Sequence, residues 1–261
     1  MEYPIECKLP YPAIFDSHAH LDDKAFDEDR ETLIEEMKNS GVAGIITCGC
    51  DIESSKRALS LAHKYDFIYA AVGIHPEEIQ KGDSLDEIEV LAQDKKCVAI
   101  GEIGLDYYYD KEHKKLQKEI FSSQIDLAKK LHLPIIVHDR EAHEDTLIIL
   151  KDKKPKGVLH CFSGSVEMAK EVLKLGMYLG VGGVITFKNA RKLPEVVKII
   201  PDDKLLIETD CPYLAPVPYR GKVCFSGMIP LTAKKIAEIR ETDTESILQL
   251  TKENATRLFN I

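Results

Sequence analysis

Short apolar runs rich in β-branched residues alternate along this chain with longer stretches in which apolar residues recur at three- and four-residue steps. The runs fall at 13–16, 44–48, 68–73, 98–104, 134–138, 157–160, 177–184 and 204–209, and each reads as a strand. Between them, 27–40, 54–65, 112–131, 141–150 and 166–175 carry the period of an amphipathic helix. The last segment, 242–259, reads as a closing helix with a capping box from Thr242 to Glu245. Eight strand-helix units in 261 residues, with no Pro/Gly/Ser-rich linker, low-complexity tract or internal repeat, predict an α/β fold. The expected form is a single TIM-type (β/α)8 barrel, one domain over residues 1–261. An open doubly wound sheet is the rival arrangement of the same alternation.

Composition is that of a chain that folds, with 44% apolar and 30% charged residues. Thirty-five basic against 44 acidic side chains leave a net charge of −9, which excludes a molecule-wide cationic surface for nucleic acid or anionic membrane. Any polyanion must therefore be held locally. Met1-Glu2-Tyr3-Pro4 lacks the basic and apolar regions of a leader, and no run of about 18 apolar residues occurs. The expectation is a cytoplasmic protein with no membrane association and no obligate protein partner evident. Seven cysteines, odd in number and without C-x-x-C spacing, point to free thiols in a reducing compartment.

The nine histidines divide by position. His63, His113, His132 and His143 lie among charged residues of helical segments and are expected on the surface. His18, His20, His75, His138 and His160 sit at or just past the ends of apolar runs, on the face that carries chemistry in a TIM barrel. His18 and His20, two apart on a strand, share one face. Glu102 ends the fourth run and Asp210 the eighth. Six ligand-type side chains, His18, His20, Glu102, His138, His160 and Asp210, thus converge from five strands. Burying so many polar groups costs several kcal/mol unless something pairs them, and a divalent cation is the natural partner.

At these residues the chain resembles the TatD-type metal-dependent hydrolases of the amidohydrolase barrel superfamily. The resemblance runs through FDSHAHLD (15–22), VGIHP (72–76), GEIGLDYY (101–108), PIIVHDREA (134–142), HCFSGS (160–165), LLIETDCPYLAP (205–216), Arg220-Gly221-Lys222 and TKENATRLF (251–259). It implies a TIM-like barrel, one or two divalent ions (Mg, Mn or Zn) and deoxyribonuclease activity. It also implies that His18, His20, Glu102 and Asp210 serve one ion and Glu102, His138 and His160 the other, with Glu102 bridging. The chain departs from the family in four places. MEYPIECKLPYP precedes the first strand, Val223-Cys224-Phe225-Ser226 replaces the usual x-Asn-Glu-Pro, and Glu77 and Tyr109 replace a histidine and an arginine.

Two divalent ions against Glu102 and Asp210 would make the pocket locally cationic inside an acidic protein, which suits a phosphate. Asp210 is the expected general base, with Glu102 as the other catalytic carboxylate and Glu208 supporting from behind. His75, Arg140, Ser163 and Arg220 are the expected substrate contacts, Arg140 as a charge-assisted fork. Cys161 and Cys211 are expected to be small buried thiols. The functional expectation is cleavage of phosphodiesters at nucleic acid ends, with 3′→5′ polarity implied by the resemblance alone. Hydrolysis of a carbonyl substrate, such as an aminoacyl-tRNA ester or a small amide or ester, is the alternative the same constellation permits.

Overall fold

The computed structural model describes residues 13–261; MEYPIECKLPYP, with Cys7, lies outside them. Eight parallel strands follow one another around a near-closed barrel of TIM type: β1 (Ile14–Ala19), β2 (Val42–Cys48), β3 (Ile68–Val72), β4 (Cys97–Asp106), β5 (Ile135–Arg140), β6 (Gly157–Leu159), β7 (Tyr178–Val181) and β8 (Leu205–Ile207). At the seam, Ala19 bridges Cys211 in parallel, His20 N donates to Cys211 O at 2.8 Å and Asp210 N to His18 O at 3.0 Å. The sheet therefore returns to its first strand, and the open-sheet alternative is overturned.

Helices flank the strands: α1 (Arg30–Asn39), α2 (Ile52–Lys64), α3 (Leu85–Leu91), α4 (Lys114–Leu131), α5 (His143–Lys153), α6 (Val166–Lys174), α7 (Leu193–Ile199), α8 (Ile229–Arg240) and α9 (Thr244–Phe259). Capping sets two boundaries that periodicity misplaced. Asp51 accepts from Ser54 N at 2.7 Å while Ser54 Oγ bonds back to Asp51 N at 2.8 Å, so α2 begins before residue 54. The cap of α9 is Asp243, which accepts from Ser246 N at 2.8 Å, and not Thr242. Thr242 N is already engaged with Ala237 O at the exit of α8.

Alternation along the strands divides the core in two. Ile45, Ile68, Ile100, Ile135, Leu179 and Leu205 pack in one cluster with the inner faces of the helices. Ile46, Cys48, Ala71, Ala99, Ile136, Val158 and Leu206 pack in a second cluster, whose helical members are Ala255, Leu258 and Phe259 of α9. The second cluster is the barrel interior, plugged from below by the end of α9. Strand residues beyond this apolar floor point into the opposite mouth, where the polar groups collect.

Two glycines keep that mouth in register. At Gly104, φ is +150° and a Cβ would collide with the His138 carbonyl oxygen, so β4 can approach β5 only without a side chain there. A Cβ on Gly180 would collide with the Glu208 carboxylate.

Candidate metal centre

Six predicted ligand residues meet in this mouth, arranged around Glu102, which is 3% exposed. Its Oε2 faces β1, at 3.2 Å from His18 Nε2 and 3.4 Å from His20 Nε2. The two imidazole nitrogens are 3.1 Å apart, and Asp210 Oδ1 lies 3.6 and 3.5 Å from them. A tetrahedron with metal-to-ligand bonds of about 2.0–2.2 Å has edges of about 3.3–3.6 Å. Five of the six edges among these four atoms, 3.1 to 3.6 Å, are thus close to those of a site for a small divalent cation. Asp210 stands three residues past β8, where its backbone turns left-handed, φ 61°, a conformation aspartate tolerates better than most residues.

The other oxygen of Glu102 faces the opposite way. Its Oε1 lies 2.8 Å from His138 Nδ1 and 2.8 Å from His160 Nε2, which are 3.5 Å from each other. One carboxylate therefore spans two nitrogen sets, the disposition of a bridging ligand.

The distal ring nitrogens decide which atoms are free to ligate. His20 Nδ1 is 3.0 Å from Cys48 O, a pure acceptor, so its proton sits there and the Nε2 lone pair faces Asp210 and Glu102. His138 Nε2 pairs with Asp106 Oδ2 at 3.1 Å, leaving Nδ1 toward Glu102. His160 Nδ1 is 3.6 Å from Glu208 Oε1 and has no hydrogen-bond partner among the described residues, and the same holds for Glu208 Oε2. Glu208 instead accepts from Cys161 N. His75 is the opposite case: its Nδ1 accepts from Glu77 N at 3.2 Å, so it is Nε2 that carries a hydrogen, 3.5 Å from Glu102 Oε1. That makes it a donor toward the mouth.

Among themselves these groups share protons as an ionic cluster. Burial opposes the charge on Glu102, but His160, His18 and His75 around it and its bond to His138 hold it well below the usual carboxylate range. Burial pulls His138 down, yet Asp106 and Glu102 raise it to about 9. His160 is carried well above its ordinary value by Glu102 and Glu208 against burial. His18, buried and beside His160, is depressed. A cation in the mouth would take over the role of these protons.

Asp16 supports the cluster from below. Fully buried, it accepts from His18 N at 3.2 Å, Thr209 N at 3.0 Å, Thr209 Oγ1 at 2.5 Å and Ser226 Oγ at 2.7 Å. The departing segment 223–226 thus reaches under the mouth through Ser226. Burial pushes the Asp16 carboxyl up to about 7 against these four bonds.

The remaining predicted contacts stand at the edge of the mouth. The Arg140 guanidinium rests over the exposed rings of Tyr108 and Tyr109, at 4.3 and 4.9 Å. That of Arg220 lies over Phe187 at 4.5 Å. Ser163 is exposed in the turn after β6. Cys211 is buried as expected, whereas Cys161, in a left-handed turn with φ 43°, is only half buried. Asp106 and Cys50 were not singled out from the sequence. Asp106 stands four residues after Glu102 on β4, an even spacing that places both on one face and was available as a signal.

Comparison with known proteins shows the family and agrees with the fold. The family model described as "TatD related DNase" matches residues 15–260. The uncharacterized metal-dependent hydrolase YabD of Bacillus subtilis is 48% identical over 253 residues, covering 95% of this chain and 99% of its own. YcfH of Escherichia coli K12, also described as an uncharacterized metal-dependent hydrolase, is 35% identical over 254 residues, covering 95% and 96%. The crystal structure of YJJV, a TatD homolog from the same bacterium, superposes with a TM-score of 0.90 at 32% identity, covering 96% of this chain and 99% of that one. The chain belongs to the TatD-related DNase family of metal-dependent hydrolases.

Proposed function

We propose that the protein is a two-metal phosphodiesterase that trims nucleic acid from an end, with 3′→5′ polarity. The observation carrying this reading is the split of Glu102, one oxygen toward His18 and His20 and the other toward His138 and His160. A carboxylate so shared suits a pair of divalent ions, Mg, Mn or Zn, with His18, His20, Glu102 and Asp210 holding one and Glu102, His138 and His160 the other. When bound, such ions supply Lewis acidity and lower the pKa of water toward neutrality.

The chain's own residues do the rest. Asp210 orients the attacking water and takes its proton, its carboxylate being only partly exposed and aimed at the His18–His20 pair. His75 donates from Nε2 to a phosphoryl oxygen. Arg140 offers a guanidinium fork to the next phosphate, and Ser163 and Arg220 line the approach. The exposed Tyr108, Tyr109 and Tyr213 give unpaired bases a surface to stack on, which favours a single-stranded end.

The test is hydrolysis of 3′- and 5′-labelled single-stranded DNA, RNA and an aminoacyl-tRNA by protein stripped with chelator and reloaded with Mg²⁺, Mn²⁺ or Zn²⁺. Stepwise loss of nucleotides from the 3′ end is expected. Intact nucleic acid with deacylation of the tRNA would replace this reading with the carbonyl-hydrolase one.

A further inference from the structure

One thiol in the mouth is used by nothing above. Cys50 follows β2, half buried, and its Sγ lies 3.8 Å from His20 Nδ1. One ligand atom each from His20, Cys50 and Glu102 fall within 4.8 Å of one another. We propose that Cys50 is a thiolate ligand of the ion held by His20 and Glu102, and that it biases the centre toward thiophilic ions such as zinc over magnesium. The proposal rests on the reading of this mouth as a metal centre.

Three observations carry it. The first is reach: sulfur at about 2.3 Å and nitrogen or oxygen at about 2.0–2.2 Å, on opposite sides of one ion, stand up to about 4.5 Å apart. The Cys50 sulfur lies at the Nδ1 edge of His20, so ligation beside His20 Nε2 requires the Cys50 side chain to turn toward Glu102. The second is fixation. Cys50 N donates to Ser54 Oγ at 2.8 Å, and Cys50 O accepts from His75 N at 2.8 Å, so the backbone is pinned on both sides and the side chain is presented at the mouth. The third is redundancy. His20 Nδ1 already has the Cys48 carbonyl at 3.0 Å, so the thiol is not needed to orient that ring.

Cys48 is a different case. It is fully buried in the barrel interior, and among the described residues it belongs to no group of three donors lying within 4.8 Å of one another. Sulfur discriminates where imidazole and carboxylate do not. Thiolate is soft and favours zinc, whereas magnesium takes hard oxygen ligands and keeps its waters.

The experiment loads chelator-stripped full-length protein with Co²⁺ and records its absorption, alongside Cys50→Ser, Cys50→Ala and the remote control Cys97→Ala, each checked for folding by circular dichroism. Visible ligand-field bands report that cobalt is bound at all; a near-ultraviolet thiolate-to-cobalt charge-transfer band reports sulfur ligation. The expected result is both signals in the parent and Cys97→Ala, with the charge-transfer band lost in both Cys50 variants. Competition between Zn²⁺ and Mg²⁺ should show the zinc preference falling by about 10-fold or more, since loss of a group that merely hydrogen-bonds a ligand already costs about 10–100-fold. Visible bands without the charge-transfer band in the parent, or a band that survives in Cys50→Ala, overturns the thiolate assignment alone. Absence of all cobalt bands overturns the metal-centre reading and this proposal with it.

Discussion

Asp106 pairs with Nε2 of His138 at 3.1 Å while its other oxygen accepts from the backbone of Tyr108 and Tyr109 at 2.8 Å each. The carboxylate therefore fixes the His138 tautomer and the tyrosine turn together. In Asp106→Asn the amide oxygen can keep the turn, which leaves the amide N–H facing His138 and drives the ring proton to Nδ1, the atom aimed at Glu102. Metal affinity should fall about 10–100-fold. Competitive titration against a chromophoric chelator measures it, and unchanged affinity would show that the tautomer does not matter.

Asp210 carries the proposed proton transfer. Asp210→Asn should stay folded with an unshifted circular dichroism spectrum and lose at least about 10²-fold in turnover, the scale of a positioned acid or base. Near-normal turnover in the metal-loaded variant removes Asp210 from that role.

Metal binding should release protons. His138 titrates at about 9, with His160 carried well above its ordinary value, so at pH 7 both rings hold protons that a cation must displace. Apparent affinity should rise with pH from 6 to 9. Calorimetric titration in two buffers of different ionisation enthalpy reads the released protons directly; equal heats in both would contradict the scheme.

The Asp16 carboxyl gives stability its own pH dependence. Its folded value, about 7, lies above the 3.8 of an unperturbed aspartate, so between these pH values the folded state binds more protons than the unfolded one. The contribution of this residue is present below that window and is lost as pH rises through it. Asp16→Asn keeps an acceptor for His18 N and Thr209 N but cannot ionise. Urea midpoints should therefore fall less from pH 5 to pH 8 in the variant than in the parent, both with chelator. Parallel midpoints would show that Asp16 is not the titrating group.

The barrel and the convergence of the six side chains on its rim were legible because each rests on a short-range pattern. Strand ends fix where a side chain points, so His18, Glu102 and His160 could be placed on one face without knowing the loops. Partnership across strands was harder. Asp106 reads as one more acid in GLDYY until β4 and β5 are set in register, Gly104 opposite His138. Ser226 meets Asp16 across 210 positions of sequence, a contact no local period encodes. Cys50 looked like an ordinary free thiol because its significance depends on the position of His20. Helix starts failed where an aspartate cap outweighed the apolar period, at Asp51 and Asp243.

The seam between the first and last strands has a consequence for assembly. His18 and His20 come from the opening of the barrel and Asp210 from its close, joined directly by the Asp210 N to His18 O bond. A fragment lacking either end would carry an incomplete donor set however well its remaining units folded. The centre can therefore come into being only when the ring has shut, and an ion lodged there would act as a clasp, holding the two ends of the circle together.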